Sequence, residues 1–214
     1  MIGAGVFRSF CCALDALRRN VRGVSVIEFA LMTPIYTTTM LYGIDTIWFV
    51  HAHQEMSRLA ISTADLAARY RASIDEKDIQ TLFLGAKLST DGIAFDARGR
   101  VMLSSVTRNA ANNGHWVRWQ RCQGQYIKPS KIGIEDAGKL DATLATINGQ
   151  TLNVGDNVMF AEVFYKYQPL FFKSLFAKDK EIKYTAMFMA REIALPSLTN
   201  STNIAEAAKL KCTT

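Results

Sequence analysis

Several chemical signatures are missing from this chain. It has no Gly-x-Ser-x-Gly elbow, and nothing in sequence pairs a nucleophile with a base, which argues against an enzyme and leaves no catalytic residue to name. There is no internal repeat and no low-complexity tract. No continuous basic stripe is present either. The formal net charge is +6, but residues 1–23 alone carry +3 of it, from four arginines and one aspartate. The remaining bases alternate with acids, as in Lys178-Asp179-Lys180-Glu181, the pattern of a solvated surface. No nucleic-acid partner is expected. Histidines number three. His51 and Glu55 stand four apart on a helical pattern, His53 points elsewhere and His115 lies beside Trp116, so all three are expected as surface or interfacial groups and no metal site is expected. The segment from Gly133 to Lys139 approaches a phosphate-binding loop, but Leu140 stands where a hydroxyl is needed and Glu135 and Asp136 would repel phosphate. It is expected as a surface loop, and no cofactor is implied.

What the chain does have is one long apolar run. After Arg18, Arg19 and Arg22 comes Gly23, and from Val24 to Val50 the sequence is apolar for 27 residues. A helix of that length spans about 40 Å, enough for a bilayer core and an interfacial turn. Arginines on the leading flank favour a cytoplasmic N-terminus. The run is longer than the apolar part of a secretory signal and no small-residue cleavage site follows it. Residues 1–23 are thus expected as a basic cytoplasmic leader, 24–50 as a transmembrane helix and 51–214 as an extracytoplasmic domain. Pro34 should bend or loosen the helix. Asp45, near Tyr42, Trp48 and Phe49, should reach the outer interface in a surface role.

Glu28 is a carboxylate inside that run, costly in lipid unless paired. The stretch Gly23-Val-Ser-Val-Ile-Glu28-Phe29-Ala30-Leu31-Met32-Thr33-Pro34 resembles the start of TadE-like pseudopilins, from the tight-adherence (Flp-type IVb) pilus systems of bacteria. The resemblance is specific over residues 18–36 and extends more weakly to 119–124 and 158–169. It implies that a prepilin peptidase cuts between Gly23 and Val24, which leaves Glu28 at mature position five. Glu28, Phe29 and Pro34 would then serve assembly, with the carboxylate pairing with an α-amino group of its own or a neighbouring subunit. It further implies a pilin-like fold, a single pass through the bacterial inner membrane with the C-terminal domain periplasmic, and other pilus and secretion-platform subunits as partners. The competing expectation is an uncleaved bitopic protein whose outer domain binds a ligand or envelope partner.

Beyond the anchor the period changes. Met56, Leu59, Ala60, Thr63, Ala67 and Tyr70 recur at three- and four-residue steps, so the helix should run on to Arg71. Ser73 and Asp75 open a second helix, Asp75 to Leu88. Strands are expected at Arg100–Val106, His115–Arg121, Asn157–Tyr167 and Lys183–Arg191, with a turn at Asn113-Gly114 and a short hairpin about Asn148-Gly149. Residues 128–144 read as irregular. Leu170, Phe171, Phe172, Leu175 and Phe176 should dock on the core. A long helix backed by an antiparallel sheet is an α+β arrangement. The four cysteines divide by compartment: Cys11 and Cys12 lie in the leader, whereas Cys122 and Cys212 share an oxidising space and should form a disulfide.

Overall fold

The computed structural model describes residues 23–70, 73–108, 114–139, 149, 151–171, 180–191 and 198–212. The chain divides into two units, Met1–Ile47 and Trp48–Thr214.

Helix α1 (Val24–Ala68) is 45 residues long, and part of it is apolar enough to cross a membrane. In the first unit its side chains are bare: Val26, Ile27, Phe29, Leu31, Ile35 and Met40 are each between 61% and 73% exposed. Pro34 lies within the helix, which continues on both sides of it. Its missing N–H cannot serve the carbonyl one turn back. The threonines around it are turned onto the backbone. Thr33 Oγ1 donates to the Phe29 carbonyl at 2.7 Å, Thr37 to Thr33 at 2.9 Å, Thr38 to Pro34 and Thr39 to Ile35 at 2.8 Å. Each hydroxyl is satisfied inside the helix, which leaves the lateral surface effectively apolar. Asp45 departs from expectation, being only 8% exposed rather than at the surface.

In the second unit α1 presents the anticipated face. Ala52, Met56, Leu59, Ala60, Thr63, Ala64 and Ala67 are all buried. The helix ends at Ala68, short of Arg71, which lies outside the described residues. Helix α2 (Glu76–Ser89) follows β1 (Ile74–Asp75). Asp75 caps α2 rather than opening it: its carboxylate accepts from the Lys77 N–H, while Asp78 accepts from the Asp75 N–H in a reciprocal box. A four-residue helix, α3 (Phe95–Arg98), leads into β2 (Gly99–Arg108). With β3 (His115–Gln123), β4 (Asn157–Tyr167) and β5 (Lys180–Met189) it forms an antiparallel sheet of order β3-β2-β4-β5. The fold is therefore α+β. Strand β5 starts three residues earlier than its sequence pattern indicated. A two-residue strand, β6 (Leu198–Thr199), pairs in parallel with β1, a contact the sequence did not announce.

Alternation along β4 divides two cores. Met159, Ala161, Val163, Tyr165 and Tyr167 face α1 and α2, joined by Val101, Leu103, Ile182 and Ala186. Val158, Phe160 and Phe164 face the other way, under Tyr126, Ile132 and Leu152 of the irregular connection between β3 and β4. Strand β4 runs antiparallel to this half of α1. Tyr167 meets Phe49 with ring centroids 5.1 Å apart, and beyond the paired end of β5 the Arg191 N–H donates to the Ala68 carbonyl.

Two expectations need revision here. Leu170 and Phe171 are each 51% exposed instead of docked, because the inner face is already closed by Tyr165, Tyr167 and Phe49 where β4 ends. Phe172, Leu175 and Phe176 lie outside the described residues. So does most of the proposed hairpin about Gly149, and 151–154 on its far side form no strand.

Gly124 closes the sheet corner with φ at +108°, and a Cβ there would sit 2.2 Å from the Gly99 carbonyl oxygen. Backbone cannot yield as a flexible side chain would. Gly124→Ala should therefore lower the unfolding free energy by about 1–3 kcal/mol, read from tryptophan fluorescence during urea unfolding of the detergent-solubilised protein. An unchanged midpoint would show that the corner can relax.

Candidate functional site

The residues singled out by the sequence fall in two places. Gly23, Val24, Glu28 and Phe29 are exposed at the start of α1, and Pro34 is exposed one and a half turns further on. Glu28 has no hydrogen-bond or ion-pair partner among the described residues. Val24 and Glu28 are spaced i, i+4, so their positions stack on one helix face, about 6 Å apart along the axis. An α-amino group on Val24 would be a natural counter-charge for this carboxylate.

The second place is the outer edge of β3. Cys122 and Cys212 are joined by a disulfide, with Cα atoms 4.9 Å apart. The pairing is backed by the main chain. The Cys122 N–H donates to the Leu210 carbonyl at 2.7 Å, and Arg121 bridges to Lys211. The C-terminal tail thus covers an edge strand that would otherwise present open hydrogen-bonding groups.

Beside it lies an ion cluster that sequence reasoning missed. Arg121 and Glu76 are each 3% exposed. Arg121 Nε donates to both Glu76 oxygens at 3.1 Å, Nη2 donates to Oε1 at 2.5 Å, and Nη1 donates to Glu135 at 3.0 Å and to the Gln120 carbonyl at 2.7 Å. Burial by itself lowers the Arg121 pKa, but the hydrogen bonds and charge of Glu76, then of Glu135, lift it above its ordinary value. The cluster ties α2, β3 and the loop after β3 together. Glu135 is therefore committed to Arg121, and the near phosphate-loop is a turn folded on the edge of β3, with Val117 and Ala137 bonded at 2.9 Å.

A second buried acid holds the other face. Glu162 on β4 is fully buried; it accepts from the Ser130 hydroxyl and from the Lys131 N–H at 3.1 and 3.2 Å, with Lys183 Nζ 3.9 Å away. Burial nonetheless pushes its carboxyl above the usual range. His115, expected at the surface, is 1% exposed, and its Nε2 accepts from the Leu152 N–H at 3.0 Å. It opens β3 on the face that the connection around Leu152 covers, which accounts for its burial. Neither the acid nor the histidine had a sequence signal, since each partner is remote in the chain.

The other histidines do not gather ligands. His53 Nδ1 meets the Tyr184 hydroxyl at 3.0 Å, His51 packs edge-on to Trp48, and Glu55 pairs with Arg58 at 3.5 Å. Among the described residues no group of three potential metal ligands comes together. A polar groove of about 440 Å³ lies along the β3 edge, lined by Trp116, Arg118, Arg121, Lys139 and Lys211 among others. Arg118 and Lys139 flank the Trp116 ring at 5.3 and 5.4 Å. No family model, no curated protein and no solved structure matches this chain.

The tail should respond to acid. Asp75 accepts from the Ser201 N–H at 2.7 Å and the Thr202 hydroxyl at 3.0 Å, contacts led by the Ser201 amide that hold its pKa at about 2. Glu206 is likewise held at about 2 by Lys209 and Lys211. A depressed folded pKa means stabilisation that is complete above the unfolded value and lost as pH falls through the folded one. Pepsin should therefore cut 198–211 increasingly as pH drops from 3.8 towards 2, and Asp75→Asn should be susceptible already at the upper end. Equal cutting of parent and variant throughout would show that these contacts do not hold the tail.

Replacing Cys122 and Cys212 together by serine should cost about 2–4 kcal/mol in unfolding free energy, because the bond closes a loop between residues 90 apart. Equilibrium unfolding without reductant, compared with the parent, measures the difference. No change would mean that the main-chain pairing of the tail suffices.

Proposed function

We propose that this protein is a pseudopilin-like minor subunit, processed by a prepilin peptidase and acting in assembly of a tight-adherence pilus. The observation that carries the proposal is the pairing of Gly23 and Glu28 at the head of a 45-residue helix whose first part bares apolar side chains on every side. Such a surface is costly in water and favourable in lipid. An ordinary anchor needs neither a glycine at the junction nor an unpartnered carboxylate one turn inside it.

Cleavage after Gly23 creates an α-amino group on Val24, within one turn of Glu28. The two charges then neutralise each other in the low-dielectric layer, either within one chain or between neighbours. Removal of the leader also discards three arginines that would hold the helix end among the headgroups. On this reading the processed helix associates in the inner membrane with other pilus and secretion-platform subunits. The α+β domain lies on the periplasmic side and sets geometry and partner choice, with no catalytic role. A second reading, an uncleaved bitopic protein that binds a ligand, draws on the ligand-sized polar groove beside Trp116.

Two variants separate the readings. Gly23→Val places a β-branched residue where a protease must approach backbone. Expressed with its cognate prepilin peptidase, the parent should lose residues 1–23 by intact mass, while the variant keeps them and still inserts. If the parent keeps its leader under those conditions, the bitopic reading replaces this one. Glu28→Ala should be cut and inserted normally but co-isolate poorly with partner subunits, with Glu28→Gln intermediate or equally poor. Full recovery of both would reduce Glu28 to an interfacial residue.

A further inference from the structure

Strands β3 and β5 are the two edges of the sheet, and the chain treats them differently. On β3, Val117 exchanges bonds at 2.9 Å with the turn at Asp136 and Ala137, and Cys122 bonds the tail at Leu210. Strand β5 pairs with β4 alone, in unbroken register from Lys180 to Met189. The Ala190 N–H donates to the Asn157 carbonyl at 2.8 Å, which fixes the phase of that pairing. Antiparallel neighbours exchange bonds at every second residue, so Ile182, Tyr184, Ala186 and Phe188 turn their main-chain groups to β4. Glu181, Lys183, Thr185, Met187 and Met189 turn theirs the other way. The next outward position is Arg191, whose N–H is taken by the Ala68 carbonyl of α1. From Glu181 to Met189 the outward main-chain groups have no such partner among the described residues.

This row of donors and acceptors is about 27 Å long, and only another extended main chain carries matching groups at the same spacing. Edge strands are ordinarily blunted by brevity, proline, a bulge or charge. Strand β5 is ten residues long with no proline and no bulge, and Tyr184-Thr-Ala-Met-Phe-Met189 is uncharged. Met189 is 58% exposed. A second copy of the chain fits this edge poorly. Its β3 edge is taken by the turn and the tail. Two β5 strands joined antiparallel over their whole length would set Lys183 against Met187 and Glu181 against Met189, giving neither charge a counterpart. A different segment, with an acid opposite Lys183 and a base opposite Glu181, complements both.

We infer that β5 is a docking edge of this protein, which accepts an extended segment of a different polypeptide as a fifth, antiparallel strand. The main chain of the segment bonds to Glu181, Lys183, Thr185, Met187 and Met189. Its side chains alternate in character. Those beside Tyr184, Ala186 and Phe188 are apolar, because these three pack with the inner core, and those beside Lys183 and Thr185 are polar. The inference uses the second unit alone. It stands whether or not Gly23 is a cleavage site and α1 spans a bilayer.

Amide hydrogen exchange, resolved residue by residue, tests it on the full chain in detergent micelles with the Cys122–Cys212 bond intact. The probe is the capped peptide Thr-Val-Thr-Tyr-Thr-Val-Glu-Val-Lys. Run antiparallel, its glutamate and lysine fall opposite Lys183 and Glu181, and its central threonine falls opposite Thr185. One form carries N-methyl groups on the tyrosine and the valines, whose amides face away from β5. The other carries them on the second and third threonines and the glutamate, whose amides face it. In the protein alone, Lys183, Thr185 and Met187 should exchange fast, while Tyr184 and Ala186, bonded to β4, exchange slowly. The first form should abolish fast exchange at Lys183, Thr185 and Met187, and the second should leave it as it was. Fast exchange that survives both forms refutes the docking edge. Protection by both forms refutes it equally, since contact is then through side chains and not an added strand. Slow exchange in the protein alone that turns fast on dilution assigns the edge to a second copy, and slow exchange at every dilution shows the chain closing its own edge. Either of these last results overturns the inference.

Discussion

The second unit depends on one contact, the close approach of the small-residue face of α1 to the inner face of the sheet. Ala52, Ala60, Ala64 and Ala67 on the helix, with Ala161 and Ala186 on the strands, leave room for backbones to come near. Met56, Leu59, Met159, Val163 and Phe83 fill the spaces between. Interiors packed to crystal-like density tolerate little change in volume, so this face constrains α1 far more tightly than hydropathy alone. The same helix also carries a stretch most of whose apolar side chains are exposed. Its composition answers two different surroundings along one continuous backbone.

The sheet is closed on both faces, and polar groups do much of the closing. Arg121 joins α2, β3 and the following loop through Glu76 and Glu135, while Glu162 anchors the connection over the outer face through Ser130 and Lys131. Loss of one partner from such a buried pair typically costs about 3–5 kcal/mol, because the other charge is left without compensation. These acids and bases act as joints between segments distant in sequence. The disulfide and the tail do the same for the exposed edge of β3. A domain stapled in this way presents a defined surface.

Under the pseudopilin reading, function and fold meet at the head of the apolar stretch. At its head, Gly23 and Glu28 provide the chemistry of processing and of charge pairing under the pseudopilin reading. Histidines of the described domain take part in packing and hydrogen bonds, and the Glu135 carboxylate accepts from Arg121.

The features legible in the sequence are those that neighbouring residues encode among themselves. The apolar run from Val24, the three- and four-residue steps from Met56 to Ala67, a helix start close to Asp75 and the alternation of Asn157–Tyr167 are all local patterns, because helix and strand signals lie within a few residues. The cysteine pair was legible for another reason: few thiols were available to choose from. Tertiary structure alone decided the rest. It buried Asp45 and His115, set Glu76 against Arg121 across 45 residues, paired β1 with β6, and left Leu170 and Phe171 exposed. A buried charge or an exposed apolar side chain is defined by what lies around it in space. One residue's identity, and that of its neighbours, does not contain that information.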